Sequence, residues 1–201
     1  MNQPAAPLSE GKLKILKAVA TLLEDPTTKI TINRISTQLS VTEAAIYRHY
    51  RSKEEILSAL LGYMENHFLT PVNQAQKNST DTYVRLKYVF DQYMEFLIGH
   101  PGLARLFLGH GNTEAASVSE KVQILNAKIR GQVALMLKWG QANNALKPGL
   151  TPDQAAELFY GLVVGAAMAQ VFRLPQLPQA ERWSAFAQAV LTQPVTVGGQ
   201  P

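Results

Sequence analysis

Tyr47, Arg48, His49, Tyr50, Arg51 and Lys53 crowd two phenols, two guanidinium groups, an imidazole and an ammonium into one short run. Such groups can ligate a metal, pass protons, or donate hydrogen bonds to an anion. Metal ligation needs a second ligand at helical or hairpin spacing. His49 has no histidine four residues on and no carboxylate cluster beside it. Anion contact fits better: Lys29, Arg34, Arg48, Arg51 and Lys53 share this segment, and Glu43 is the only acid between them. A second chemistry-bearing run, HPGLARLFLGH at 100–110, begins and ends in histidine ten positions apart without a carboxylate between. It reads as no metal site, and its Arg105 is either an exposed partner contact or a capping residue. The chain shows no glycine-rich phosphate loop, no HExxH and no Ser-His-Asp arrangement. No enzyme activity, cofactor or metal is therefore expected.

The elements that must hold the basic run are helices. Apolar residues recur at helical spacing throughout, and hairpin signals are nearly absent. About nine helices are expected. Ser9 caps a first helix with the stripe Ile15, Leu16, Val19, Leu22 and Leu23, ending near Asp25-Pro26. Thr31 caps a short helix 32–39, Ser40-Val41 makes a tight break, and Thr42 caps a third helix, 42–50. Ser52 and Glu55 form a capping box that opens a fourth helix running toward Phe68. Pro71 should interrupt it. Further helices fall near 81–98, 102–108, 118–145, 152–174 and 178–191.

Two short helices joined by a tight turn, the second polar on one side, make a helix-turn-helix. Ile46 and Tyr50 lie four apart on one face and, with Val41, are expected to pack on Ile32, Ile35 and Leu39. Ala44, Tyr47 and Arg48 share the opposite face. That face offers a small residue for close approach, then donors for phosphates or base edges. Thr31 and Lys53, each opening a helix, are placed to hold a phosphate on either side. His49 reads as a phosphate contact or a surface histidine.

With 201 residues, no cysteine and 46% hydrophobic residues, the chain can bury a sizeable core without disulfides, which fits a reducing cytoplasm. A net charge of +4 permits a polyanion partner but does not single one out. No signal peptide is read at the N-terminus. The longest apolar run, 158–169, is too short for a membrane span and is expected as a buried helix. The division expected is a DNA-binding unit at 9–52, a regulatory and dimerisation body at 53–192 continuous with it through the fourth helix, and a disordered tail at 193–201.

The stretch ITINRISTQLSVTEAAIYRHYRSKEEIL resembles the helix-turn-helix of the TetR family. The matching positions are Thr31, Val41, Thr42, Tyr47, His49, Tyr50 and Lys53. The resemblance implies an all-α fold, an N-terminal three-helix unit before a helical body, and a DNA-bound homodimer that regulates transcription as a repressor. The DNA-facing set is then Thr31, Thr42, Glu43, Ala44, Tyr47, Arg48, His49 and Lys53. Where the family turn usually carries glycine, this chain has Ser40. A positive φ would strain a serine, so an adjusted turn is expected. The resemblance also implies a dimer interface on the last two helices, here Tyr160, Gly161, Gly165, Ala169, Phe186 and Val190. The alternative is that these residues complete the monomer core. A small-molecule inducer is a second implied partner. Tyr88, Phe90, Tyr93, Phe96, Phe107 and Trp139 are the aromatics available to line a pocket, or else plain core. One branch of the family implies another role: a nucleoid-associated factor that binds chromosomal sites and inhibits the division protein FtsZ. Gln92 and Glu95 stand where such a docked partner would be served by apolar residues.

Overall fold

The computed structural model describes residues 8–109 and 115–192. Among these, nine helices occur in chain order: α1 Glu10–Leu23, α2 Ile32–Leu39, α3 Glu43–Tyr47, α4 Lys53–Asn78, α5 Thr82–Gly99, α6 Pro101–Phe107, α7 Ala116–Ala142, α8 Pro152–Phe172 and α9 Gln179–Val190. No strand is present among the described residues, and the isolated bridge Leu146–Leu191 ties the α7–α8 connection to the end of α9. The fold is all-α, as expected. The tail 193–201 and His110, the last residue of the second histidine run, lie outside the described residues.

Local chemistry sets most helix starts. Ser9, Thr31, Thr42, Ser52, Asp81 and Thr151 each accept a backbone N–H through the side chain at the N-cap. The expected capping box at Ser52 forms by half. Ser52 Oγ accepts from Glu55 N at 3.2 Å, but the Glu55 carboxylate takes the Arg51 N–H at 2.6 Å rather than that of Ser52. Pro71 does not interrupt α4. It sits buried inside an unbroken 26-residue helix. A proline there removes one helical donor and crowds the preceding turn. The adjoining turn gains a donor from outside, since Tyr93 Oη donates to the Phe68 carbonyl at 2.8 Å.

One buried apolar cluster runs from Ile15 on α1 to Leu191 beyond α9, so the first three helices and the rest of the fold share a core. Its centre is aromatic. Phe68 lies 4.8 Å from Tyr93, 5.5 Å from Phe96 and 5.1 Å from Phe107, centroid to centroid. These rings fill the space in which a pocket was a possibility. Phe90 is likewise buried, 5.4 Å from Trp183. Trp139 stands apart, 42% exposed on α7 with the Arg85 guanidinium 4.3 Å over its ring. Tyr88 is half-buried and its hydroxyl donates to Gln74 at 2.7 Å. Phe90, Tyr93, Phe96 and Phe107 are therefore core side chains packed on other rings, whereas Tyr88 and Trp139 lie outside that packing.

The apolar run 158–169 is not the wholly buried helix expected. α8 packs on α5, α6, α7 and α9 along one side. Its other side leaves Leu158, Gly161, Gly165, Met168 and Phe172 exposed at alternating three- and four-residue spacing.

Candidate nucleic-acid interface

The site is the outward side of α3 with the helix starts that flank it. α2 packs on both α1 and α3, so α3 is held against a core of Ile15, Leu16, Val19, Ile35 and Ile46. The connection from α2 to α3 turns at Ser40, which adopts the left-handed conformation with φ 53° and ψ 43°. The turn is therefore not adjusted away from the family geometry; serine takes the glycine conformation. Its N–H still caps α2 by reaching the Ser36 and Thr37 carbonyls, and Val41 N donates to Ser36 O at 3.0 Å. That reversal turns Val41 outward, 44% exposed, where it had been expected to pack inward. Ile30, just before α2, takes the inner place at 2% exposure.

α3 is shorter than expected, ending at Tyr47 instead of Tyr50. The face assignment nevertheless holds. Ile46 and Tyr50 are buried, while Ala44, Tyr47 and Arg48 are exposed, Tyr47 by 50%. Burial, then the charge of Glu55, pushes the Tyr50 phenol pKa up, and its hydroxyl has no hydrogen-bond partner. His49 is half-buried: its ring lies over Gly11 on α1, where an added Cβ would stand 2.5 Å from Cε1. It is more than a surface histidine, since it ties the first turn of α1 to the end of α3. Lys12 Nζ reaches over the Tyr50 ring at 5.3 Å, strengthening the same junction.

Thr31 and Thr42 are exposed and already serve as caps, bonding Arg34 N at 3.2 Å and Ala45 N at 3.3 Å. The Glu43 carboxylate accepts from Asn33 Nδ2 at 3.1 Å, which joins α2 to α3. Asn33 had not been picked out, because nothing local in the sequence reveals a contact ten residues away. Lys53 is half-buried at the start of α4, with Glu54 at 3.8 Å. Thr31, Thr42, Glu43, Ala44, Tyr47, Arg48, His49 and Lys53 thus lie on α3, at its C-terminal end, or at the starts of α2, α3 and α4, all exposed or half-buried, and Lys29, Arg34 and Arg51 in the same segment are exposed. Chemically, these exposed donors on a short helix and at helix starts could meet base edges and phosphates.

Residues 15–60 match the family model for bacterial regulatory proteins of the tetR family. That segment is a helix-turn-helix of the TetR family. Among known proteins, it is 33% identical over 105 residues to the nucleoid occlusion factor SlmA of Pasteurella multocida (strain Pm70). That match spans only about half of either chain, 51% of this one and 53% of the relative. The SlmA of Marinomonas sp. (strain MWYL1) is 24% identical over 191 residues, covering 91% of this chain and 96% of the relative. By structure, the chain resembles the fatty acid degradation regulator FadR from Bacillus halodurans, with a TM-score of 0.78 at 15% identity. That likeness covers 91% of this chain and 95% of the FadR chain and concerns the fold alone.

The TetR-type body has two further surfaces. The first is the stripe on α8 described above. Of the residues expected at a dimer interface, Gly161 and Gly165 lie on it with open space beyond them. Ala169, Phe186 and Val190 instead turn inward and complete the monomer core, and Tyr160 is half-buried with its hydroxyl on Asn126 at 2.6 Å. Leu158, Met168 and Phe172 were missed, although the same three-and-four spacing that defines any helix face places them with the glycines. The second surface is a groove of about 540 Å³ between α4 and α5. His67 stacks on Phe96 at 4.7 Å, His100 lies beyond, and Gln92 and Glu95 form the α5 wall. Burial, then the charge of His100, lowers the His67 pKa.

Proposed function

We propose that this protein is a sequence-specific DNA-binding transcriptional regulator of TetR type that acts as a homodimer and represses. One observation carries the reading: Tyr47 and Arg48 stand exposed on a short helix set between the starts of α2 and α4, with cations around it. A single helix this short makes too few base contacts for specific binding, and a two-fold pair supplies two half-sites about 34–36 Å apart. The exposed α8 stripe supports the pairing. The division follows, with residues 9–52 reading DNA and 53–192 regulating and dimerising.

The test is to map the chromosomal sites that the protein occupies in cells and measure binding to the recovered duplexes. A regulator occupies few sites, near the genes it controls, with paired half-sites. Absence of any enriched duplex in cells and in a random-sequence selection overturns the reading.

A second reading is favoured by the name of the relatives and by the open α4–α5 groove: a nucleoid-associated factor that restrains division through FtsZ. Many dispersed sites, with FtsZ retained by the DNA-bound protein, support it. A single operator and no FtsZ retention exclude it. The polar Gln92–Glu95 wall, with Gln92 Nε2 donating to Glu95 at 3.3 Å, would need a partner offering hydrogen bonds as well as apolar side chains.

A further inference from the structure

The DNA-binding unit meets the body along α1 and α6 as well as through α4. At the C-terminal end of α1, the two helices cap each other. The Glu24 carboxylate accepts from the Gly102 backbone N–H at 3.1 Å. That amide opens α6, whose own N-cap residue, His100, supplies no side-chain acceptor. In return, the Arg105 guanidinium donates to the Leu23 carbonyl. Leu23 closes α1, and its carbonyl is among the four that a helix end leaves without an internal partner. Both bonds join a charged group to backbone, which makes them stronger than neutral pairs and strict in geometry.

The approach requires glycine. A Cβ on residue 102 would stand 2.5 Å from the Leu23 carbonyl carbon and 2.7 Å from its oxygen. Those are backbone atoms, which no rotamer change moves aside. Beside this exchange a pocket of about 370 Å³ opens between α1, α4 and α6, lined by Leu13, Leu16 and Leu103 and by Lys17, Glu24 and His100. The polar exchange therefore adds directional bonds to a seam that apolar side chains do not close throughout.

We propose that Glu24, Gly102 and Arg105 form an orientation latch. They are positioning residues: none lies on the DNA-facing side of α3. They set the angle at which α1, and α2 and α3 packed on it, stand relative to the body. In a dimer, that angle fixes the separation of the two recognition helices, so the latch sets the half-site spacing that the protein accepts. The inference rests on the dimeric DNA-binding reading.

The experiment uses the full chain and operators recovered by the mapping above, with the half-site separation changed by one or two base pairs. Each added pair shifts a half-site by about 3.4 Å and rotates it around the duplex. Wild type is expected to lose about tenfold in affinity per pair, whereas Arg105→Ala and Glu24→Ala lose less than about threefold. Glu24→Gln keeps an acceptor for the Gly102 N–H and retains the wild-type profile. The salt dependence of all three variants stays that of wild type, because no phosphate-facing residue is changed. Glu24 is exposed, so its substitutions leave the core intact, and circular dichroism checks helix content. Folded Arg105→Ala and Glu24→Ala variants that keep a sharp wild-type profile overturn the latch. A wild type that binds DNA without a paired-site requirement overturns the dimeric reading and the latch with it.

Discussion

Ser40 occupies a backbone region where an L-residue other than glycine pays about 1–2 kcal/mol. Its side chain makes no compensating bond that the turn needs, since the backbone N–H does the capping. Ser40→Gly is therefore expected to raise stability by about 0.5–1 kcal/mol after the extra freedom glycine gives the unfolded chain. Urea unfolding measures it, and an unchanged or lower midpoint counts against the strain. Tyr50 carries a different cost: a desolvated hydroxyl without a partner, at a position 3% exposed. Tyr50→Phe removes the hydroxyl but keeps the ring under Lys12, so stability should hold or rise by about 1 kcal/mol. On the side proposed to face DNA, Arg48 and Lys53 should separate by kind of effect. Arg48→Ala is expected to cost about 1–3 kcal/mol on the preferred operator and to relax preference at one position. Lys53→Ala should weaken all duplexes alike and flatten the salt dependence by about one charge. Competition titrations against non-operator DNA tell the two apart, and two variants that bind like wild type sink the assignment.

At the scale of elements, what could be read in advance was what local chemistry decides. The starts of α1, α2, α3 and α4 follow from Ser9, Thr31, Thr42 and Ser52, because an N-cap acts within three residues. The inward and outward faces of α3 follow from helical spacing alone. The misreadings lie where a distant element decides. Pro71 stays inside α4 in a turn whose Phe68 carbonyl receives the α5 hydroxyl of Tyr93. Val41 turns out because Ser40 reverses the chain, and Phe186 and Val190 turn in because α9 docks on α8. The α4–α5 pair also carries a pH prediction. Burial and His100 hold the His67 pKa below its usual value, so the folded state binds fewer protons there than the unfolded chain. Stability from this group is complete above about pH 6.5 and is lost as pH falls through the lowered folded value. The melting temperature should therefore drop between about pH 7.5 and 5.5, and His67→Asn should flatten that slope. A slope unchanged by the substitution assigns the effect to other groups, with His100 and Glu95 across the groove the first to examine.

For the whole molecule, the decisive question is what covers α8. Leu158, Met168 and Phe172 are 50%, 42% and 50% exposed, in line with two glycines. In the monomer, a Cβ at Gly161 or Gly165 meets nothing within 4 Å. Glycine inside a helix costs about 1 kcal/mol relative to alanine, so packing within one subunit gives no reason for either residue. A second helix crossing closely at that point does give one. The same open space makes a clean test, because Gly165→Glu cannot disturb the monomer sterically and adds helix propensity. Against a symmetry mate, the same side chain brings bulk and two facing charges into an apolar crossing. Light scattering should then show the mass of the particle halved while the thermal transition of the subunit is kept. Affinity for a two-half-site operator should fall by about 10²-fold or more, the gain that linking two binding modules provides. Binding to an isolated half-site should not change, since α3 is untouched. A Gly165→Glu protein that remains a dimer with full operator affinity would place the interface elsewhere and leave the α8 stripe without a role in pairing.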